Sequence, residues 1–294
     1  MDVAVDVLVV YAALAVWAVT TAVSVHRGDA RPFVVVGVLI MLGLNVRYFV
    51  EGQPAAIASF VGIYDVFDNL GLSADEGAPA LATCVDNACT VWGDRYLHHP
   101  AWGVAFYERF LDAPQLRTSL LYGHIFFNSI AFVLMHHQLL PTGRVGAERH
   151  RLIGRITFGS MSIGTVLAVW LATEHGDVDE YGGILSTLGF LSMSAFVFLT
   201  ALAGVRAARA GDLARHRRWM IRFIGAMWGS FWLFRVMLVV TGPALRSFET
   251  VSIQLSIWLS APLGILIAER LLLRRPAKRA DVDAEPVGAT TGPV

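Results

Sequence analysis

The chain has 294 residues, of which 55% are hydrophobic and only 16% charged, with a formal net charge of zero. A soluble domain carries about 25% charged residues, so the composition marks a membrane protein. The only cysteines are Cys84 and Cys89, which excludes a disulfide scaffold and a four-cysteine zinc site.

The N-terminus reads Met1-Asp2-Val3 and carries Asp6, with no basic residue before His26 and Arg27. A cleavable signal starts with a basic region, so this segment reads as a retained first helix. Crossing the hydrocarbon takes about 20 apolar residues. Seven windows qualify: 4–25, 32–50, 119–140, 152–173, 184–205, 219–241 and 251–272. The expected fold class is all-α, a polytopic bundle of seven transmembrane helices.

The segments between these windows alternate in charge. Arg27 and Arg31 follow the first. The 51–118 loop is acidic, with Glu51, Asp65, Asp68, Asp75, Glu76 and Asp86. Arg144, Arg149 and Arg151 come next, then Glu174, Asp177, Asp179 and Glu180, then Arg206, Arg209, Arg215, Arg217 and Arg218. The tail carries Arg274, Arg275, Lys278 and Arg279. Basic loops stay in the cytoplasm, so the N-terminus is expected outside, the C-terminus in the cytoplasm, and the protein in the plasma membrane.

The 51–118 loop is then extracytoplasmic, where a local Cys84–Cys89 disulfide is the expectation. Within it, Trp102, Phe106, Tyr107 and Phe110 recur at near-helical spacing, as in an amphipathic helix lying on the membrane face or a cap over the bundle. The polar tail 276–294 reads as disordered. The chain therefore divides into two accessory helices (1–50), the outer loop (51–118), a four-helix core (119–241), a seventh helix (242–275) and the tail.

Spans three to six contain a weak repeat. His150-Arg151-Leu152-Ile153-Gly154-Arg155 opens span four, and His216-Arg217-Arg218-Trp219-Met220-Ile221-Arg222 opens span six. Each places a His-Arg pair at the cytoplasmic edge and another arginine about a turn inside. Two units of like orientation imply a pseudo-twofold axis along the membrane normal.

These two elements, with His124, Gln138 and Arg235, carry a resemblance. The stretch from about 120 to 240 resembles the bacterial membrane proteins of the domain of unknown function family 2306. The resemblance implies a helical membrane bundle. The histidine-bearing helices are similar to those of b-type cytochromes, which is an analogy of fold.

Ionisable groups at membrane depth are costly and mark candidate sites. An inner layer holds His136, His137, Gln138, His150, Arg155, His216, Arg222 and Glu269; an outer layer holds Arg47, His124, Asn128, Arg235 and Gln254. Two stacked haems need paired histidines on one face of each of two helices. His124 and His136 or His137 lie about 120–140° apart around span three, and span five has no histidine, so the two-haem arrangement is disfavoured. One b-type haem remains open, with His150 and His216 as axial ligands and Arg155 and Arg222 on the propionates. A metal held by His136 or His137, His150 and His216, with Glu269 as fourth ligand or base, is a further expectation. In the outer layer, His124, Asn128 and Arg235 would hold a quinone head or a carboxylate.

Simpler roles stand beside these. His150 and His216 would anchor their helices to lipid phosphate, Arg155 and Arg222 would snorkel to the surface, and Arg222 would pair with Glu269. The function classes are therefore a redox protein binding one b-type haem or a quinone, a non-catalytic subunit of another membrane protein or a small-molecule carrier, and a metal-dependent membrane enzyme. The expected partners are membrane lipids; nucleic acid is not one, because the arginines follow topology and form no face interleaved with aromatics.

Overall fold

A computed structural model of the chain describes residues 3–27, 29–50, 52, 115–139, 146–173, 184–244 and 249–273. These residues form helices and short turns, with no strand among them. The helices are α1 (Val3–Arg27), α2 (Arg31–Val50), α3 (Gln115–Leu139), α4 (Ala147–Thr173), α5 (Ile184–Arg209), α6 (Leu213–Trp228), α7 (Phe234–Ala244) and α8 (Glu249–Leu272). A five-residue π-helical segment, Gly229–Leu233, joins α6 to α7 as one continuous rod. Counting that rod once, there are seven long helices among the described residues, and six of them are long and apolar enough to cross a membrane. The Cys84–Cys89 pair, the 102–112 segment and the 276–294 tail lie outside the described residues.

The helices are longer than the apolar windows because polar turns extend past the hydrocarbon. The first turn of α4, for example, carries Glu148, Arg149 and His150. Large apolar side chains such as Leu39, Val166, Leu199 and Leu266 point outward on four different helices and are more than half exposed. An apolar surface on this scale is what lipid covers.

Helix ends are stitched tightly at the basic end of the bundle. Between α1 and α2, Ser24 Oγ accepts from Phe33 N (3.0 Å) and Asp29 Oδ1 accepts from Arg31 N (3.1 Å). Between α5 and α6, Gly211 adopts a left-handed φ of 76°. Asp212 N donates to Ala207 O (3.0 Å) and Gly211 N to Ala208 O (3.1 Å), a Schellman end for α5. Asp212 also caps α6, accepting from Arg215 N at 2.8 Å. Closing one helix and opening the next within three residues leaves little play in the hairpin.

In the interior, α3 packs on α4, α4 on α5 and α5 on α6; α2 lies against α3, and α1 against α2. The last helix, read from the sequence as separate from the core, packs along α5, α6 and α7. Small residues permit this: Gly225 and Gly229 of the α6 rod meet Ser260, Ala261 and Gly264 of α8 backbone to backbone. Without a hydrophobic drive between helices in lipid, such close packing is a main source of cohesion.

The densest part of the core is aromatic. Trp17, Phe33, Trp228 and Trp232 meet Phe132 and Phe231 with ring centroids 4.7–5.6 Å apart. His136 belongs to this cluster. Its Nδ1–H donates to Phe132 O (2.6 Å), and its Nε2 accepts from Trp228 Nε1–H (2.7 Å). A carbonyl can only accept, so the proton sits on Nδ1. Both ring nitrogens are therefore engaged.

Candidate functional site

At the basic end, residues of α3, α4, α6 and α8 line an open cavity of about 310 Å³. Its polar lining is Gln138, His150, His216 and Arg217, and its apolar lining includes Met135, Met220, Ile221, Ile224 and Leu272. The tight α5–α6 hairpin returns His216 onto the end of α5, where its Nδ1–H donates to Gly204 O at 2.9 Å. That bond fixes the ring and leaves Nε2 with a free lone pair. A Cβ at Gly204 would lie 2.7 Å from Met220 Sδ, so the Met220 side chain would have to shift. Across the cavity stands His150, on the first turn of α4. The two imidazole rings have centroids 6.5 Å apart and an interplanar angle of 90°. Gln138 Nε2 is buried in the wall without a hydrogen-bond partner, alongside Gly154.

Of the residues expected to serve this end, His150 and His216 are brought together. Arg155 and Arg222 are not beside them. Arg155 is exposed on the outer face of α4 and does not line the cavity. Arg222 Nε is bonded to Glu269 Oε1 at 2.6 Å, with its guanidinium 4.7 Å above the Trp219 ring. The arginine at the cavity is instead Arg217. The expected metal set is not assembled either. His136 is consumed by Phe132 and Trp228, Glu269 by Arg222, and His137 is absent from the cavity lining. Among the described residues, no three His, Cys, Asp or Glu side chains come together as a metal site.

A second polar group lies toward the far end. His124 Nδ1 is 3.0 Å from Gly164 O of α4 and 3.0 Å from the Asn128 side-chain amide. Gly164 makes room for this, because a Cβ there would meet the Asn128 amide at 2.6 Å. Arg235, on α7, donates from Nη1 to Phe231 O at 2.8 Å, with its guanidinium 5.7 Å from the Phe231 ring. Phe231 lies in the wider turn, where Phe234 N–H bonds to Gly229 O, five residues back. Tyr48 of α2 packs with Leu121 and Ile125 of α3.

Comparison with known families now bears on the whole bundle. The family described as "Predicted membrane protein (DUF2306)" matches residues 121–271, just over half of the chain. The chain belongs to this family. The matched segment takes in α4 to α7, most of α3 and nearly all of α8, including the last span that the sequence reading set apart. Every residue lining the basic-end cavity falls inside the family segment except Leu272, one position beyond it. The two N-terminal helices, and with them Tyr48, lie outside it. No curated protein and no solved structure matches the chain.

Proposed function

We propose that this protein is a membrane redox protein that holds one b-type haem between His150 and His216. The observation that carries the reading is the ring geometry. An iron ligated by one nitrogen of each ring lies about 2 Å from each nitrogen, which puts the two ring centroids about 6 Å apart. The separation here is 6.5 Å, with the rings mutually perpendicular.

The surroundings suit the same occupant. His216 is held by the Gly204 carbonyl in the tautomer that offers Nε2, as metal-ligating histidines commonly are. Met135, Met220, Ile221 and Ile224 supply an apolar wall, and Arg217 supplies a cation for a propionate. A haem in this position would supply one-electron transfer. His150 and His216 would hold it, with the Gly204 carbonyl orienting His216 and the apolar side chains lying against it.

The test is the absorption spectrum of purified protein made with ample haem. One haem per chain is expected, with a Soret band that shifts and an α band that sharpens on reduction. Colourless, folded protein would sink this reading. It would favour instead a carrier or subunit without a cofactor, which the unpartnered Gln138 amide in the cavity wall supports.

The proposal includes an orientation. Arg27, Arg31, Arg149, Arg151, Arg215, Arg217 and Arg218 sit at the end that holds the cavity, which puts that end and the C-terminus in the cytoplasm. A reporter active only in the cytoplasm, fused after Val294, should work; an active periplasmic-type phosphatase at that position would reverse the assignment.

A further inference from the structure

The outer seam between α4 and α5 gathers arginines that no acid of the described chain answers. Two contacts fix how these helices lie at the basic end. Phe158 of α4 meets Phe198 of α5 with ring centroids 6.1 Å apart. Nearer the helix ends, the His150 ring lies 6.5 Å from the His216 ring, which is itself bonded to Gly204 O of α5. The start of α4 therefore runs beside the end of α5, in the opposite direction.

Helix phase then sets four arginines along this seam. Arg151 precedes Phe158 by seven residues and Arg209 follows Phe198 by eleven, each about 20° from its phenylalanine around the helix. Arg155 and Arg206 stand about 60° and 80° from the same phenylalanines, toward the lipid-facing side. There Arg155 neighbours the exposed side chains of Leu152 and Ile156, and Arg206 continues the exposed stripe of Leu199. Arg151 and Arg206 lie about 10 Å and 12 Å beyond the ring contact along their helices, and Arg155 about 6 Å short of Arg151.

All four arginines are exposed, and none is in an ion pair among the described residues. The acids of this end are placed elsewhere. Glu148 is nearer the start of α4 than Arg151, Asp212 caps α6, and Glu269 holds Arg222. Topology alone asks only for arginines beyond the apolar span. Arg155 is eight residues into α4, about 12 Å from its start, and has apolar side chains exposed beside it. It stands where lipid headgroup gives way to acyl chain.

We propose that this seam binds the phosphate diester of an anionic phospholipid, with Arg155 and Arg206 on the phosphate oxygens. The guanidinium fork matches a phosphate in shape and charge, and basic recesses between helices at headgroup level take anionic heads. The acyl chains would lie along Leu152, Ile156 and Leu199. The seam shares no residue with the basic-end cavity, so it stands whether or not that cavity holds haem.

The test is native mass spectrometry of the purified full-length protein from micelles doped with equal amounts of phosphatidylglycerol and phosphatidylcholine. The wild type should retain phosphatidylglycerol several-fold over phosphatidylcholine. Arg155→Gln with Arg206→Gln should lower that retention by about tenfold, as expected for lost hydrogen bonds to a charged group. Arg27→Gln with Arg31→Gln removes the same charge from exposed positions at the same end and should leave retention close to wild type. Should the glutamine pair at 155 and 206 fail to fold, Arg155→Lys with Arg206→Lys keeps the charge without the fork and should retain a few-fold less than the wild type. Equal retention of the two lipids by the wild type overturns the proposal. So does an equal loss in the Arg27 and Arg31 variant, or a folded Arg155 and Arg206 variant that retains lipid as the wild type does.

Discussion

His216→Ala is expected to yield folded protein that has lost its haem spectrum. The alanine removes the proposed ligand whose orientation the Gly204 carbonyl fixes and leaves His150 without its partner across the cavity. Losing only a hydrogen-bond partner of a metal ligand costs about 10–100-fold in affinity, and losing the ligand itself should exceed that range. His150→Ala should behave differently. His150 is exposed on the first turn of α4, and its loss should leave haem held through His216 alone, with a high-spin spectrum. Adding imidazole to His216→Ala should restore part of the low-spin spectrum, a rescue that a purely structural histidine would not show. A His216→Ala protein retaining the wild-type spectrum would end the proposal.

The second large effect is mechanical. Gly229→Ala should lower the melting temperature in detergent by roughly 6–12 °C, taking an overpacking cost of about 3 kcal/mol and about 2–4 °C per kcal/mol for a chain of this size. A Cβ at Gly229 would lie 2.5 Å from Ala261 Cα and 2.7 Å from Ser260 C. Both are backbone atoms, so no side chain can swing aside and the two helices must separate. Separation would also loosen the contact of Gly225 with Gly264 and Ile265 in the same groove. Gly159→Ala is the natural control, because a Cβ there meets nothing within 4 Å. If both variants melt alike, the close α6–α8 contact is not what holds this part of the bundle.

Hydropathy made most of the fold legible. Windows placed at 32–50, 184–205 and 251–272 became helices Arg31–Val50, Ile184–Arg209 and Glu249–Leu272. The repeat singled out His150 and His216, whose rings the fold brings to 6.5 Å of each other. The arginines were misjudged through helix phase. Arg155 lies five residues after His150, about 140° around the helix, and Arg222 lies six after His216, about 120° the other way. Each therefore faces away from the ring it was expected to serve, and Arg222 turns to Glu269.

His136 could not have been placed from its neighbours, since its partner Trp228 is 92 positions away. The role of the last span, by contrast, was written in Ser256, Ser260, Gly264 and Ala268. These recur every four residues on one face, and such a run permits close helix contact. The outer loop and its cysteines had to be read on composition alone.

The wide turn at Gly229–Leu233 works like a coupling that sets two gears on one shaft at different angles. It absorbs one residue more than an α-helical turn, so every side chain beyond it is turned by about 100° relative to an unbroken helix. Leu213–Trp228 carries the teeth that engage the cavity and α8, and Phe234–Ala244 carries Arg235 at its own setting. Removing one residue from the coupling would re-index the far gear alone. The two ends of a single span can thus be set independently, one toward the cavity and the other carrying Arg235.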